Sequence, residues 1–288
     1  MARNKRKKSG YGYETAPVQE ISKRKILGKY SSFAAVEAYK AARTNLLFTR
    51  KGTGCQKIAV TSSFEAEGKS VNCINMAITL AQNGLRVLII DCDMRRPVVN
   101  KTFGFPESDG LSELLASLVG LETLFTEKSP IHPTWQDNLS VLSAGHTPPN
   151  PAELLASPLF ERLLAELEPH FDYILIDTPP INVVTDALVL TQLVDGFVLV
   201  IRAGNTPMEG LRGSVSRLEQ VGASIIGFLL NDVEAKSSYQ KYNYKSKRYG
   251  YGKYGKYRYG SIYSRYSQGN HAAKATEGKD RSANGGTD

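Results

Sequence analysis

Five short runs of this chain are apolar throughout: KIAVTSS (57–63), RVLIID (86–91), YILIDTPP (173–180), GFVLVIRAG (196–204) and SIIGFLLND (224–232). A strand with one wet face alternates apolar and polar residues. These do not alternate, so both faces of the sheet they form must be covered. Between them lie stretches with helical spacing: 31–49 with a serine to cap it, 68–84 stopped by Gly84, a stretch near 110–120, 157–171, 185–194 and 208–222, with LSVLSAG (139–145) in between. Strands alternating with helices predict an α/β domain, a parallel sheet with helices on both faces, over residues 31–233.

The charge is divided along the chain. Residues 1–29 carry a net +7, residues 30–233 a net −7 and residues 234–288 a net +8. A mildly acidic body therefore carries two basic ends. Residues 1–30 are polar and aperiodic and are expected to be a mobile basic arm. Residues 234–288 are expected to be a disordered, tyrosine-rich basic tail. The three cysteines, Cys55, Cys73 and Cys92, show no CxxC spacing, which argues against a disulfide framework or zinc site; Cys73 and Cys92 sit in apolar runs and read as core. No apolar stretch reaches the ~18–20 residues of a membrane helix. The basic start has no apolar segment behind it, so it does not read as a signal peptide. The expected place is the cytoplasm, with any membrane contact peripheral or through a partner. His132, His146, His170 and His271 have no metal-ligand spacing.

The chemistry concentrates where strands end. AVTSSFEAEGKSVN (59–72) reads as strand, loop and helix start, and EGKS (67–70) closes a GxxxxGK[ST] phosphate loop with Ser63 in the first glycine position. In such a loop backbone N–H groups face phosphate oxygens, so Ser63, Glu67, Gly68, Lys69, Ser70 and Val71 are candidate nucleotide-binding residues. Lys69 would reach the β- and γ-phosphates and the Ser70 hydroxyl would sit on Mg²⁺. Asp91 and Asp93 follow one strand and Asp177 ends another. Ligands of parallel sheets bind at the carboxyl ends of strands. Three strand ends thus supply one edge with a phosphate loop and three carboxylates, enough to hold Mg²⁺ through Asp93 and Asp177 and leave one to accept a proton. Asn231, ending the last strand, could contact a base or equally cap a loop.

Taken together, these stretches resemble the bacterial tyrosine kinases (BY-kinases), cytoplasmic autokinases of capsule and exopolysaccharide systems. The resemblance rests on Ser62–Ser70 as Walker A loop, Asp91-Cys92-Asp93-Met94-Arg95 as the DxDxR A-prime segment, Asp177 as Walker B, PPNPAELL (148–155) and a C-terminal tyrosine cluster. It implies a P-loop NTPase-like fold, ATP and Mg²⁺ as cofactors, Asp91 as acceptor of the tyrosine proton, and Arg95 orienting phosphate or acceptor. The family's ExxRxxR ring-assembly helix would correspond to Glu37, Lys40 and Arg43, with lysine in place of the first arginine. A lysine lacks the planar fork for bidentate pairing. The family often has Pro-Gly ahead of Glu-Gly-Lys-Ser; here Glu65-Ala66 stands there. Alanine lacks glycine's freedom at positive φ, and Glu65 adds negative charge beside a triphosphate unless it points outward. The implied partners are a membrane activator of the polysaccharide chain-length type, a cognate tyrosine phosphatase and further copies of the chain in a ring. Nucleic acid is not expected.

In that reading the phospho-acceptors are Tyr239, Tyr242, Tyr244, Tyr249, Tyr251, Tyr254, Tyr257, Tyr259, Tyr263 and Tyr266. Glycine and serine between them give reach, and each phosphate adds about −1.5 to −2 charges. Several would reverse the tail's +8. Two alternatives stand beside it. Partition-type ATPases share the A-prime segment but carry a lysine early in the loop, where this chain has Phe64. A nucleotide-binding regulator whose basic, aromatic tail binds single-stranded nucleic acid fits the tail as well as the kinase does.

Overall fold

The computed structural model describes residues 26–28, 31–50, 52–116 and 120–233. The ten tyrosines and residues 1–25 of the basic arm lie outside them. The elements run α1 (Phe33–Phe48), β1 (Gln56–Ser62), α2 (Lys69–Ala81), β2 (Val87–Asp91), α3 (Val99–Phe103), α4 (Leu111–Ala116), β3 (Ile131–Pro133), β4 (Leu139–Leu142), α5 (Pro151–Leu155), α6 (Pro158–Leu167), β5 (Tyr173–Asp177), β6 (Gly196–Arg202), α7 (Met208–Gln220) and β7 (Ile225–Asn231). The sheet order is β3-β4-β2-β5-β1-β6-β7. Every neighbouring pair is parallel except β3 and β4. The expected parallel sheet therefore gains one short antiparallel edge strand.

β5 is central, and all five of its residues are buried. Its alternate side chains enter two different cores. Ile174 and Ile176 pack with Phe160, Leu163 and Leu199, while Tyr173 and Leu175 pack with Ile74, Ile78 and Ile89. Cys73 and Cys92 are core residues, as their surroundings predicted. α6 shows how sequence sets one layer. Ser157 caps it, its hydroxyl accepting from the Phe160 N–H, and Pro158 occupies the first turn, where its missing N–H costs nothing. Phe160, Leu163, Leu164 and Leu167 then form one buried stripe. Each contributes about 1.5–3 kcal/mol by leaving water.

Two expectations need correction. Residues 185–194 do not form an α-helix; the segment makes successive i→i+3 turns around a single 3₁₀ turn at Leu188–Leu190. Ala187 and Leu190 both enter the core, whereas Asp186 turns away to an arginine. In 3₁₀ geometry residues three apart eclipse, which aligns 187 with 190. The N-terminal arm also ends earlier than residue 30. Ile26 and Leu27 are each 4% exposed, and the Leu27 N–H donates to Asn75 Oδ1 at 2.8 Å.

Candidate active site

Register decides which strand ends meet. Asp91 of β2 lies opposite Asp177 of β5, and Asp177 lies opposite Val60 of β1, two residues before the phosphate loop starts. The Cys92 N–H donates to the Asp177 carbonyl at 2.8 Å, which ties the loop after β2 to β5. The three acidic groups predicted from sequence are thus brought together beside the loop.

The loop itself is folded around Glu67. Its Oε2 accepts from the N–H groups of Ser63 (2.8 Å) and Phe64 (3.1 Å). Ala66 and Gly68 take left-handed backbone, with φ of 58° and 93°. Gly68 is required on a second count: a Cβ there would lie 2.2 Å from Asn231 Nδ2. Glu65 points outward and pairs with Arg96. α2 starts at Lys69 with no acidic residue in its own first turn, and its N-terminal dipole faces the cleft.

Lys69 extends into the carboxylates. Its Nζ lies 2.5 Å from Asp93 Oδ2, 3.3 Å from Ser70 Oγ and 3.7 Å from Asp177 Oδ1. Burial works to lower its pKa, but Asp177 and Asp93 outweigh that and hold it above its ordinary value, so it is cationic. Asp91 and Asp177 are both fully buried. Burial first, then the neighbouring Asp177, pushes Asp91 well above the usual carboxylate range. Asp177 is also raised by burial, against the lowering effect of Lys69. Asp91 accepts from the backbone N–H groups of Asp93 (3.1 Å) and Val99 (3.2 Å), which fixes the turn after β2. Each oxygen keeps a second lone pair. Of the three carboxylates, Asp93 lines the cleft directly.

The cleft has a volume of about 580 Å³, with Ala66, Lys69, Ser70, Asp93, Arg95 and Val183 among its walls. A recess of about 310 Å³ opens on the other side of the loop, between Phe64, Ala66, Arg202, Asn205 and Pro207. A Mg²⁺ ion fits the residues present. It takes oxygen ligands and keeps several waters. Ser70, Asp93 and Asp177 offer hydroxyl and carboxylate oxygens, and both Asp177 oxygens are buried with no hydrogen-bond partner among the described residues. No cluster of three His, Cys, Asp or Glu set to hold a metal unaided occurs among those residues.

Several sequence-predicted residues have other partners. Asn231 ends β7 as expected, but its amide donates to the Glu67 carbonyl at 2.9 Å and braces the loop. Arg95 sits at the cleft with its guanidinium held by Asp186 through two bonds of 2.8 and 3.1 Å. Glu37 and Lys40 pair with each other on α1 at 2.8 Å, while Arg43 donates to the Thr79 carbonyl at 3.1 Å. Asp186, Thr206 and Ser214 were missed. Asp186 and Ser214 lie in stretches read as helices and Thr206 in a connecting turn, and nothing in the sequence links Asp186 to Arg95 or Thr206 and Ser214 to the loop.

A phosphate loop opening a helix, two carboxylates in register and a third on the turn after β2 define a nucleotide-binding domain of the P-loop class. A model described as an AAA domain matches residues 55–227. Tyrosine-protein kinase CpsD of Streptococcus agalactiae is 36% identical over 214 residues, covering 74% of this chain and 90% of that protein. Tyrosine-protein kinase ptk of Acinetobacter johnsonii is 36% identical over 232 residues, covering 77% of this chain but 31% of that protein. The kinase domain of Escherichia coli tyrosine kinase ETK superposes with a TM-score of 0.64 at 32% identity, over 77% of this chain and 80% of that one. The chain belongs to the bacterial tyrosine-protein kinases, the BY-kinase family. Among the described residues no helix is long and apolar enough to cross a membrane.

Proposed function

We propose that this protein is an ATP- and Mg²⁺-dependent tyrosine autokinase that phosphorylates the tyrosines between Tyr239 and Tyr266, its own or those of a neighbouring copy. One observation carries the reading: Lys69, Asp93 and Asp177 converge under a phosphate loop in a chain that goes on to supply ten closely spaced tyrosines. Lys69 and the loop amides hold the phosphates, and the recess beside Asn205 and Pro207 receives the base. Ser70, Asp93 and Asp177 would hold Mg²⁺, which would supply positive charge to offset that developing on the transferred phosphate. Asp91 accepts the tyrosine proton; its raised pKa is the direction a base needs. Arg95, oriented by Asp186, steadies the transferred group.

The names of the relatives support a role in capsule or exopolysaccharide synthesis. With it come a membrane activator of the chain-length type, a tyrosine phosphatase that resets the tail, and a ring of copies assembled through the helix carrying Glu37, Lys40 and Arg43. The test is incubation of the purified protein with Mg·ATP, with and without Lys69→Met, followed by peptide mass spectrometry. Phosphate on the 239–266 segment that is absent in the variant is expected. ATP binding with no tail phosphate, even with an activator fragment present, would sink the autokinase reading.

A further inference from the structure

We propose that Thr206 and Asn231 are positioning residues of the nucleotide site, acting through Glu67 to hold the phosphate loop in its binding shape. This rests on the nucleotide reading above and adds the set of residues that controls it. Glu67 is 4% exposed, and all three of its acceptor oxygens are occupied. Oε2 takes the Ser63 and Phe64 amides, Oε1 takes the Thr206 hydroxyl at 2.5 Å, and the backbone carbonyl takes Asn231 Nδ2 at 2.9 Å.

The braces are themselves anchored. Thr206 Oγ1 accepts from the Arg202 N–H at 2.9 Å, and the Thr206 N–H returns a bond to the Arg202 carbonyl at 3.0 Å. Asn231 is in register with Arg202, and its carbonyl accepts from the Ala203 N–H at 2.9 Å. One turn at the ends of β6 and β7 therefore grips the loop at two points. A third contact joins them. Ser214 of α7, fully buried, donates from its hydroxyl to Ser63 Oγ at 2.8 Å.

A phosphate cradle works only if its amides are already aimed at the anion. Glu67 is the part of this loop most able to spoil that aim. It is a carboxylate buried beside a site meant for a triphosphate. Held by Thr206, it faces inward and organises two loop amides. Without that donor, one carboxylate oxygen is left buried and unpaired, a state that favours swinging out toward water and the phosphates. Thr206 touches Glu67 from behind and does not itself line the recess, so its hydroxyl acts on the loop rather than on the nucleotide.

The experiment compares full-length wild type with Thr206→Val, Thr206→Ser, Asn231→Ala and Lys69→Met, using Mg·ADP as the probe in calorimetry and unfolding of the ligand-free proteins as control. Thr206→Val keeps the shape and removes both the donor to Glu67 and the acceptor for the Arg202 N–H; it is expected to weaken Mg·ADP binding about tenfold, as loss of a bond to a charged group does. Thr206→Ser should stay within about twofold of wild type, and Asn231→Ala should weaken binding with Thr206→Val. If the chain phosphorylates its tail, KM for ATP should rise in Thr206→Val more than kcat falls. Wild-type affinity in Thr206→Val, or a Thr206→Ser variant as weak as the valine, would overturn the proposal while binding lost only in Lys69→Met keeps the nucleotide reading. A wild type that binds no Mg·ADP would remove both.

Discussion

Replacing Lys69 by methionine tests the charge arrangement of the site before any nucleotide is added. Lys69 is the cation nearest Asp93 and Asp177, and its side chain is only 12% exposed. Methionine fills a similar volume and removes the charge. Taking one partner from a buried ion pair costs about 3–5 kcal/mol, because the other is left uncompensated. The lower end is expected here, since Asp91 and Asp177 can protonate instead of remaining charged. About 3 kcal/mol in a body of this size corresponds to a fall in Tm of roughly 6–12 °C.

The loss should depend on pH with a definite sign. Asp91 and Asp177 have folded pKa values raised above the unfolded value of about 3.9. A carboxylate raised in this way binds its proton more tightly in the folded protein. The stability it contributes is fully present below the unfolded pKa and is lost as pH rises through the folded one. Without Lys69 both values rise further, so the variant loses more stability than wild type as pH rises above the ordinary carboxylate range. Lys69's own raised pKa contributes below its ordinary range and is lost only in strong alkali. Urea unfolding in metal-free buffer from pH 4.5 to 8 should show a small gap in acid and the full gap at neutral pH. A gap under about 1 kcal/mol throughout, or one that widens in acid, would refute the arrangement.

Three further outcomes follow from local geometry. Ala66→Gly should stabilise the ligand-free protein by up to about 1 kcal/mol in thermal unfolding, since left-handed backbone costs an L-residue about 1–2 kcal/mol and glycine returns part of that as unfolded-state entropy. Ile26→Ala with Leu27→Ala should cost about 4 kcal/mol by chemical denaturation, because both side chains are buried; a loss under about 1 kcal/mol would mean that the segment does not pack. Glu113→Gln should cost about 1 kcal/mol at pH 7. Burial pushes the Glu113 pKa up, but hydrogen bonds from the His146 and Gly110 amides outweigh it and bring the value down to about 2. That stability is present above the ordinary 4.5 and fades as pH falls toward 2, so the two proteins should converge in strong acid.

The strands and the loop–helix junction were legible because their signal is local. A strand buried on both faces must be apolar throughout, and a phosphate loop must fall between such a strand and a helix. β2, β5, β6 and β7 fall within their predicted runs, and β1 begins one residue before its run, at Gln56. The 185–194 segment misled because apolar spacing alone does not distinguish one turn of 3₁₀ from an α-helix, and the partner its Asp186 takes, Arg95, is 91 residues away in sequence. β3 was invisible for a related reason. Three residues on a sheet edge carry no periodicity, and their partner β4 had not been assigned a direction. Ile26 and Leu27 were hidden by their basic neighbours, although two adjacent large aliphatics in a polar arm were the only cue. Lys69, Asp91, Asp93 and Asp177 were predicted and do converge. Thr206, Ser214 and Asp186 were not, because they act on the loop or on Arg95 rather than on a ligand.

The unusual Glu65-Ala66 pair and the brace behind Glu67 make sense as one arrangement. Ala66 at φ 58° is a conformation an L-residue leaves readily, and a loop containing it needs holding from outside. Holding is applied on both sides. Arg96, from the turn after β2, pairs with Glu65 at the mouth of the cleft and draws its charge away from the phosphate site. Thr206 and Asn231, from the ends of β6 and β7, fix Glu67 beneath. The inner hold contributes more: its carboxylate is buried, with water largely excluded, whereas the Glu65–Arg96 pair is about half exposed or more on both sides and screened by solvent. Raising salt should therefore loosen the mouth of the cleft while leaving the loop's own hydrogen bonds in place. The shape of this phosphate loop is set less by glycine than by the buried acid at its centre.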